Sequence, residues 1–156
     1  ARHAPTAFYL LRDKAKMATA EWILITGATC GLGSLGVQAA KLLGCKVIAA
    51  GAADRVQAAV ELGADAGIVY RSHDIEAEVK AITCGHGVDV VFDNVGDPKS
   101  FPSLVVALAR NGRLIVGGAA YGNSIVTRHL KKCISTKTVT FLYQVQLLPE
   151  MEIAFY

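Results

Sequence analysis

The four cysteines of this chain, Cys30, Cys45, Cys84 and Cys133, form no CxxC pair. That argues against a four-cysteine zinc site and against a disulfide framework. Reduced thiols in a cytoplasmic protein are the expected state. No apolar run approaches the roughly 18 residues needed to span a bilayer. The opening residues ARHAPTAF carry no signal-peptide pattern, so neither a membrane nor an export route is expected. Charge of one sign is sparse as well. The net charge is +3 with a pI of about 8.7, and the one tight basic pair is Lys131-Lys132. A nucleic-acid partner would need a denser basic patch, whereas a single anionic small molecule needs far less.

Several catalytic signatures are also missing. His3, His73, His86 and His129 have no metal-ligand spacing and read as surface or loop residues. No Ser/His/Asp or Cys/His constellation stands out, and no glycosidase-like carboxylate pair does. Tyr70, Tyr121 and Tyr143 each lack a lysine four residues on. That disfavours short-chain dehydrogenases, in which such a lysine lowers the tyrosine pKa for proton transfer.

What remains is aliphatic and glycine-rich. Apolar residues make up 53% of the 156 positions, aromatics 7%, and glycines number 15. A single domain of this size and composition buries a core without staples. Short aliphatic runs alternate with helical segments. A helix over about 5–17 leads in, followed by a strand over 22–26. A helix over 31–43 is ended by Gly44, and a strand covers 46–50. A helix over 54–62 is closed by Gly63, and a short strand covers 67–70. Residues 74–83 pattern as an amphipathic helix and 88–92 as a strand. Pro98 is expected to open a helix running to about Ala109, and strands are expected over 113–117 and 138–142. Strands alternating with helices imply βαβ units, a parallel sheet and helices on both faces. Ligands in such sheets bind at the carboxyl ends of the strands, where the strand order reverses.

The first of those ends reads Thr26-Gly27-Ala28-Thr29-Cys30-Gly31-Leu32-Gly33-Ser34-Leu35-Gly36. Gly31, Gly33 and Gly36 fit GxGxxG, and Gly27, Gly31 and Gly33 fit GxxxGxG. Placed between a buried strand and a helix N-terminus, such a loop offers free amides and the positive end of a helix dipole to a diphosphate. A glycine-rich turn used only for packing is the competing reading. No Lys-Ser/Thr follows the last glycine, so it is not a Walker loop.

At the end of the second strand, Ala49-Ala50-Gly51-Ala52-Ala53 holds no acid, and the first carboxylate is Asp54. NAD-preferring domains carry Asp or Glu about 20 residues past the loop, where it bonds the ribose hydroxyls and repels a 2′-phosphate. Its absence, with Arg55 following, favours NADP(H) over NAD(H). A solvated helix charge is the alternative reading of Arg55.

GATCGLGS resembles the glycine turn of medium-chain dehydrogenase/reductases, in the zeta-crystallin-like quinone oxidoreductase and zinc-type alcohol dehydrogenase-like branch. The likeness extends to QAAKLLGCKVI at 38–48, ELGAD at 61–65, GVDVVFDNVG at 87–96, RNGRLIVGGA at 110–119 and Pro5-Thr6-Ala7. The resemblance implies a doubly wound Rossmann fold with six parallel strands in the order 3-2-1-4-5-6. It implies an excised cofactor domain whose relatives carry a GroES-like catalytic domain, with no metal held here. It implies hydride transfer between NADPH and a quinone, an enone or a small carbonyl or alcohol as the small-molecule substrate, and a homodimer through the sixth strand, residues 138–143. Catalytic residues cannot be named from it.

The cofactor-binding residues expected are Gly27, Ala28, Cys30, Gly31, Leu32 and Gly33 in the turn, with Arg55 and Tyr70 at the adenosine phosphate. Asn94 is expected at the ribose–nicotinamide half, with Gly117, Gly118 and Ala119 letting the nicotinamide approach and Phe141 and Tyr143 walling it. Core packing competes for Phe141. Cys30 departs from the family's usual Gly or Ser. It is either a reactive thiol at a helix N-terminus or a small residue that fits. Asp93 orients the loop, touches the ribose or is a structural cap. A non-catalytic NADPH-sensing or assembly module, and an enoyl-reductase segment of a multidomain synthase, are the other functions these features allow.

Overall fold

The structure is a computed structural model that describes residues 3–70, 74–117 and the backbone of 140–143. Five parallel strands form the framework: β1 Trp22–Thr26, β2 Lys46–Gly51, β3 Ala66–Val69, β4 Val88–Asp93 and β5 Leu108–Val116, in the order 3-2-1-4-5. The helices are α1 His3–Tyr9, α2 Gly31–Leu42, α3 Ala53–Glu61, α4 Ile75–Ile82 and α5 Phe101–Val106, and α1 runs on into a π-helical turn, Leu10–Lys14. Beyond β5, Thr140–Tyr143 (β6) registers parallel to it, with Arg113 opposite Thr140 and Val116 opposite Tyr143. Residues 118–139 lie outside the described part. Among the described residues no helix is long and apolar enough to cross a membrane.

Alternate strand residues face opposite layers, as the pleat requires. Ile23, Ile25, Val47, Ala49, Val90, Phe92 and Ile115 pack with Leu11, Val37 and Ala40 on one face. Leu24, Ile48, Ile68, Val91, Leu114 and Val116 pack with Val79, Phe101 and Leu104 on the other. Strands covered on both sides have no polar face, which is why they read as unbroken aliphatic runs.

The far end of the sheet is tied by charge. Lys41 Nζ bonds Asp65 at 2.8 and 2.9 Å, and the Val47 amide donates to the same carboxylate at 2.7 Å. Partial burial works against the Asp65 charge, but Lys41 and the amide more than offset it and hold its pKa below the usual range. Glu21 pairs with Arg113 through both terminal guanidinium nitrogens, joining the entry to β1 with β5.

Two expectations need correction. The helix expected from Pro98 begins at Phe101, with Pro102 in its first turn. Pro98 lies instead in a turn organised by Asp97, which accepts from Lys99 N on its side chain and from Ser100 N and Phe101 N on its carbonyl. That helix ends at Val106, because the chain enters β5 at Leu108, five residues ahead of the expected Arg113. Leu108 pairs with Val88 and Arg113 with Val90, so 109–112 bulge out of register, through Asn111 at φ +62°. A bulge breaks the alternation by which a strand is recognised in sequence.

Candidate functional site

In the order 3-2-1-4-5 the sheet reverses direction of winding between β1 and β4, and the glycine turn leaves β1 at that point. Gly27 takes φ +58°, a left-handed conformation that favours glycine. Cys30 caps α2: its Sγ accepts from Gly33 N at 3.3 Å, while Cys30 N bonds Gly27 O at 2.9 Å. The thiol therefore has a structural role in the turn, one that neither sequence reading of Cys30 foresaw. It also occupies one amide that the sequence reading left free for a ligand. Among the described residues the amides of Gly31 and Leu32 make no protein hydrogen bond, as the first turn of a helix leaves them. They remain available to an anion. A Cβ on Gly33 would overlap the Gly27 carbonyl oxygen and lie 2.9 Å from its carbon. Only glycine lets α2 start this close to the strand end.

A cleft of about 230 Å³ opens beside the turn, at the carboxyl ends of β1 to β4. Gly27, Ala28 and Thr29 form one wall, Ala49 to Ala52 the floor, and Arg55, Val56, Tyr70 and Val95 the remaining sides. Residues from four separate loops thus converge. Gly27, Ala28, Arg55 and Tyr70 were expected at the site. Thr29, Ala49 to Ala52, Val56 and Val95 were not; Thr29 lay inside the recognised turn, Ala49 to Ala52 in the strand end that lacks an acid, and Val95 inside the GVDVVFDNVG motif.

Arg55 stands in the first turn of α3, exposed, and among the described residues it makes no ion pair. The α3 N-terminus carries no side-chain cap, and its first turn holds both Asp54 and Arg55. Asp54 does not line the cleft. The structure thus gives the floor of the cleft no carboxylate and leaves its rim a cation.

At the end of β4, Asp93 is 0% exposed. Its Oδ1 accepts from Thr26 Oγ1 at 2.6 Å, Val95 N at 3.0 Å and Gly96 N at 3.1 Å. Asn94 N donates to Thr26 Oγ1 at 3.0 Å and Asn94 Nδ2 to Thr26 O at 3.1 Å. Asp93 Oδ2 and Asn94 Oδ1 are buried with no partner, and each such orphan costs on the order of 1–3 kcal/mol. Gly117 N donates to Asp93 O at 2.7 Å, which brings the end of β5 against Asn94. Leu32 reaches the same spot from α2: a Cβ on Gly117 would lie 3.0 Å from Leu32 Cδ2 and 2.8 Å from Asn94 Oδ1. Gly118 and Ala119 lie outside the described residues, and so do the side chains of Phe141 and Tyr143.

The thiols differ in setting. Cys45 is buried, and that burial, reinforced by the Glu21 charge, pushes its pKa up. Cys84 is exposed, and Cys133 lies outside the described residues.

Comparison with known proteins places these features in context. The family model for zinc-binding dehydrogenases matches residues 31–150. Quinone oxidoreductase 1 of Escherichia coli is 38% identical over 120 residues, covering 76% of this chain and 35% of that protein. The trans-enoyl reductase pgmF of Aspergillus terreus is 36% identical over 93 residues, covering 60% of this chain and 25% of that protein. The crystal structure of Escherichia coli quinone oxidoreductase complexed with NADPH superposes with a TM-score of 0.79 at 29% identity, covering 92% of this chain and 44% of that one. The chain thus spans about a third of the length of the curated quinone oxidoreductases it matches. The family description names zinc, but among the described residues no three His, Cys, Asp or Glu side chains come together to hold a metal ion.

Proposed function

The chain belongs to the zinc-binding dehydrogenase family of medium-chain dehydrogenase/reductases, and on that premise we propose that it is the NADP(H)-binding domain of an oxidoreductase acting on a quinone or an enone. One observation carries the reading: Gly27, Ala28 and Thr29, which lead into the free amides of α2, meet the uncapped start of α3, Arg55 and Tyr70 in one cleft lined by no carboxylate. The free amides of α2 suit a diphosphate. Arg55 offers a planar, permanently charged set of donors to a phosphate monoester. Tyr70 gives the adenosine a half-buried aromatic side. The bound coenzyme supplies the hydride, and these residues hold and orient it.

The relatives' names support the substrate class, since a quinone oxidoreductase and a trans-enoyl reductase both match. Both descriptions involve a conjugated acceptor of a hydride. The part of the relatives that this chain does not span would complete the substrate cleft, so the domain by itself binds coenzyme and turns over little. The same reading extends the sheet to six strands in the order 3-2-1-4-5-6, supported by the register of Thr140–Tyr143 on β5, and assigns dimerisation to the free edge of that sixth strand.

Titration of the chain with NADPH and with NADH, followed by nucleotide fluorescence, tests the proposal. NADPH is expected to bind at least about tenfold more tightly, the difference one charge-assisted phosphate contact supplies. Equal affinities would remove the case for the 2′-phosphate, and no binding of either would remove the case for a coenzyme domain.

A further inference from the structure

Buried polar groups without partners are few in a native fold, and each calls for a physical reason. Asp93 Oδ2 and Asn94 Oδ1, adjacent at the end of β4, are two such atoms. Thr26 is also buried, 2% exposed. The cluster therefore places a carboxylate, a hydroxyl and a carboxamide inside the sheet, where aliphatic residues fill the neighbouring positions. Its connections show what it joins. Thr26 is the last residue of β1, directly before Gly27. Asp93 and Asn94 come directly before Val95. Gly27 and Val95 both line the cleft, and Val95 Cγ2 would lie 3.2 Å from a Cβ on Gly27.

The Thr26 hydroxyl is the pivot. It donates to Asp93 Oδ1 at 2.6 Å and accepts from Asn94 N at 3.0 Å. The same Asp93 oxygen takes the amides of Val95 and Gly96, and Asn94 Nδ2 returns to the Thr26 carbonyl. Ladder hydrogen bonds, with the Trp22 amide on the Asp89 carboxylate, fix β1 against β4 up to the Thr26–Asp93 pair. Past that pair, this cluster ties the start of the Gly27 turn to the Val95 loop.

We infer that Thr26 and Asp93 are positioning residues for the coenzyme: through the Thr26 hydroxyl and one carboxylate oxygen they fix the placement of Gly27 and Val95, neighbours in the wall of the cleft that the nucleotide enters. The inference rests on the coenzyme-binding reading above. Neither side chain lines the cleft, so each acts through the backbone it holds.

The test compares Thr26→Val, which keeps the shape and removes the hydroxyl, with Thr26→Ser, which restores it. Val79→Ala serves as the structural control, because Val79 is buried on α4 and does not line the cleft. Melting temperature and NADPH affinity are measured on each, with affinity read well below every melting point. The expected result is a roughly tenfold loss of NADPH affinity in Thr26→Val, recovery to near wild type in Thr26→Ser, and unchanged affinity in Val79→Ala despite a comparable or larger drop in melting temperature. Wild-type affinity in Thr26→Val, the same loss in Val79→Ala, or no recovery in Thr26→Ser would each overturn the positioning role. Failure of the wild-type chain to bind NADPH would overturn the coenzyme reading beneath it, and that result is read before any variant is made.

Discussion

Gly33→Ala is expected to lower the melting temperature by about 10 °C and to abolish measurable NADPH binding. The added methyl would overlap the Gly27 carbonyl oxygen and crowd the Gly27 carbon at 2.9 Å and Ala28 Cα at 3.1 Å. These are backbone atoms, which cannot rotate aside as a side-chain tip can. Either α2 slides off the strand end or the Gly27 peptide turns. Both movements also break the bond from Gly33 N to Cys30 Sγ. Overpacking of this kind costs about 3 kcal/mol, which for a domain of this length corresponds to roughly 10 °C. Displacement of the free Gly31 and Leu32 amides would remove the anion site at the same stroke. Gly85→Ala is the matched control. Gly85 has φ +85° and nothing within 4 Å of the new methyl, so it should lose about 1 kcal/mol through backbone strain alone and bind NADPH normally. Calorimetry and fluorescence titration on both variants check the pair, and normal NADPH affinity in Gly33→Ala would remove the turn from the site.

Arg55→Ala is expected to weaken NADPH by about 10- to 100-fold and NADH by less than about twofold. That range corresponds to losing a charge-assisted contact of roughly 1.5–3 kcal/mol. Arg55 is exposed and lies outside both buried clusters, so the fold should tolerate the change with little loss of stability. The effect should also shrink as salt is raised, because the charge is open to solvent. A proportional loss for both cofactors would mean that Arg55 does not meet the 2′-phosphate.

Much of this was legible before any coordinates. β1, the turn and α2 could be read because an aliphatic run, a glycine cluster and a 3.6-residue pattern follow one another without interruption. The observed α2 differs from the expected 31–43 by a single residue. Arg55 could be placed at the site because no acid precedes it at the end of the second strand, and Tyr70 because of the family resemblance. The cleft does bring them together with Gly27 and Ala28.

The unreadable parts have physical reasons. Pro98 and Pro102 are both compatible with a helix start, and only the Asp97 turn decides between them. The early part of β5 lies across a bulge, where alternation fails. The cap by Cys30 is a weak, local sulfur bond that no periodicity encodes. The Thr26–Asp93 bond joins residues 67 positions apart. Nothing in either strand's pattern distinguishes a strand-terminal aspartate that faces solvent from one sealed between two loops.

The central claim is that the front of α2 grips a diphosphate. Amide nitrogen–proton spectra of the labelled chain, recorded with and without NADPH, test it most directly. The account predicts large shifts at Gly31 and Leu32, smaller ones at Ala28 and Arg55, and none at Gly85. Saturable NADPH binding that leaves the Gly31 and Leu32 amides unmoved would contradict it.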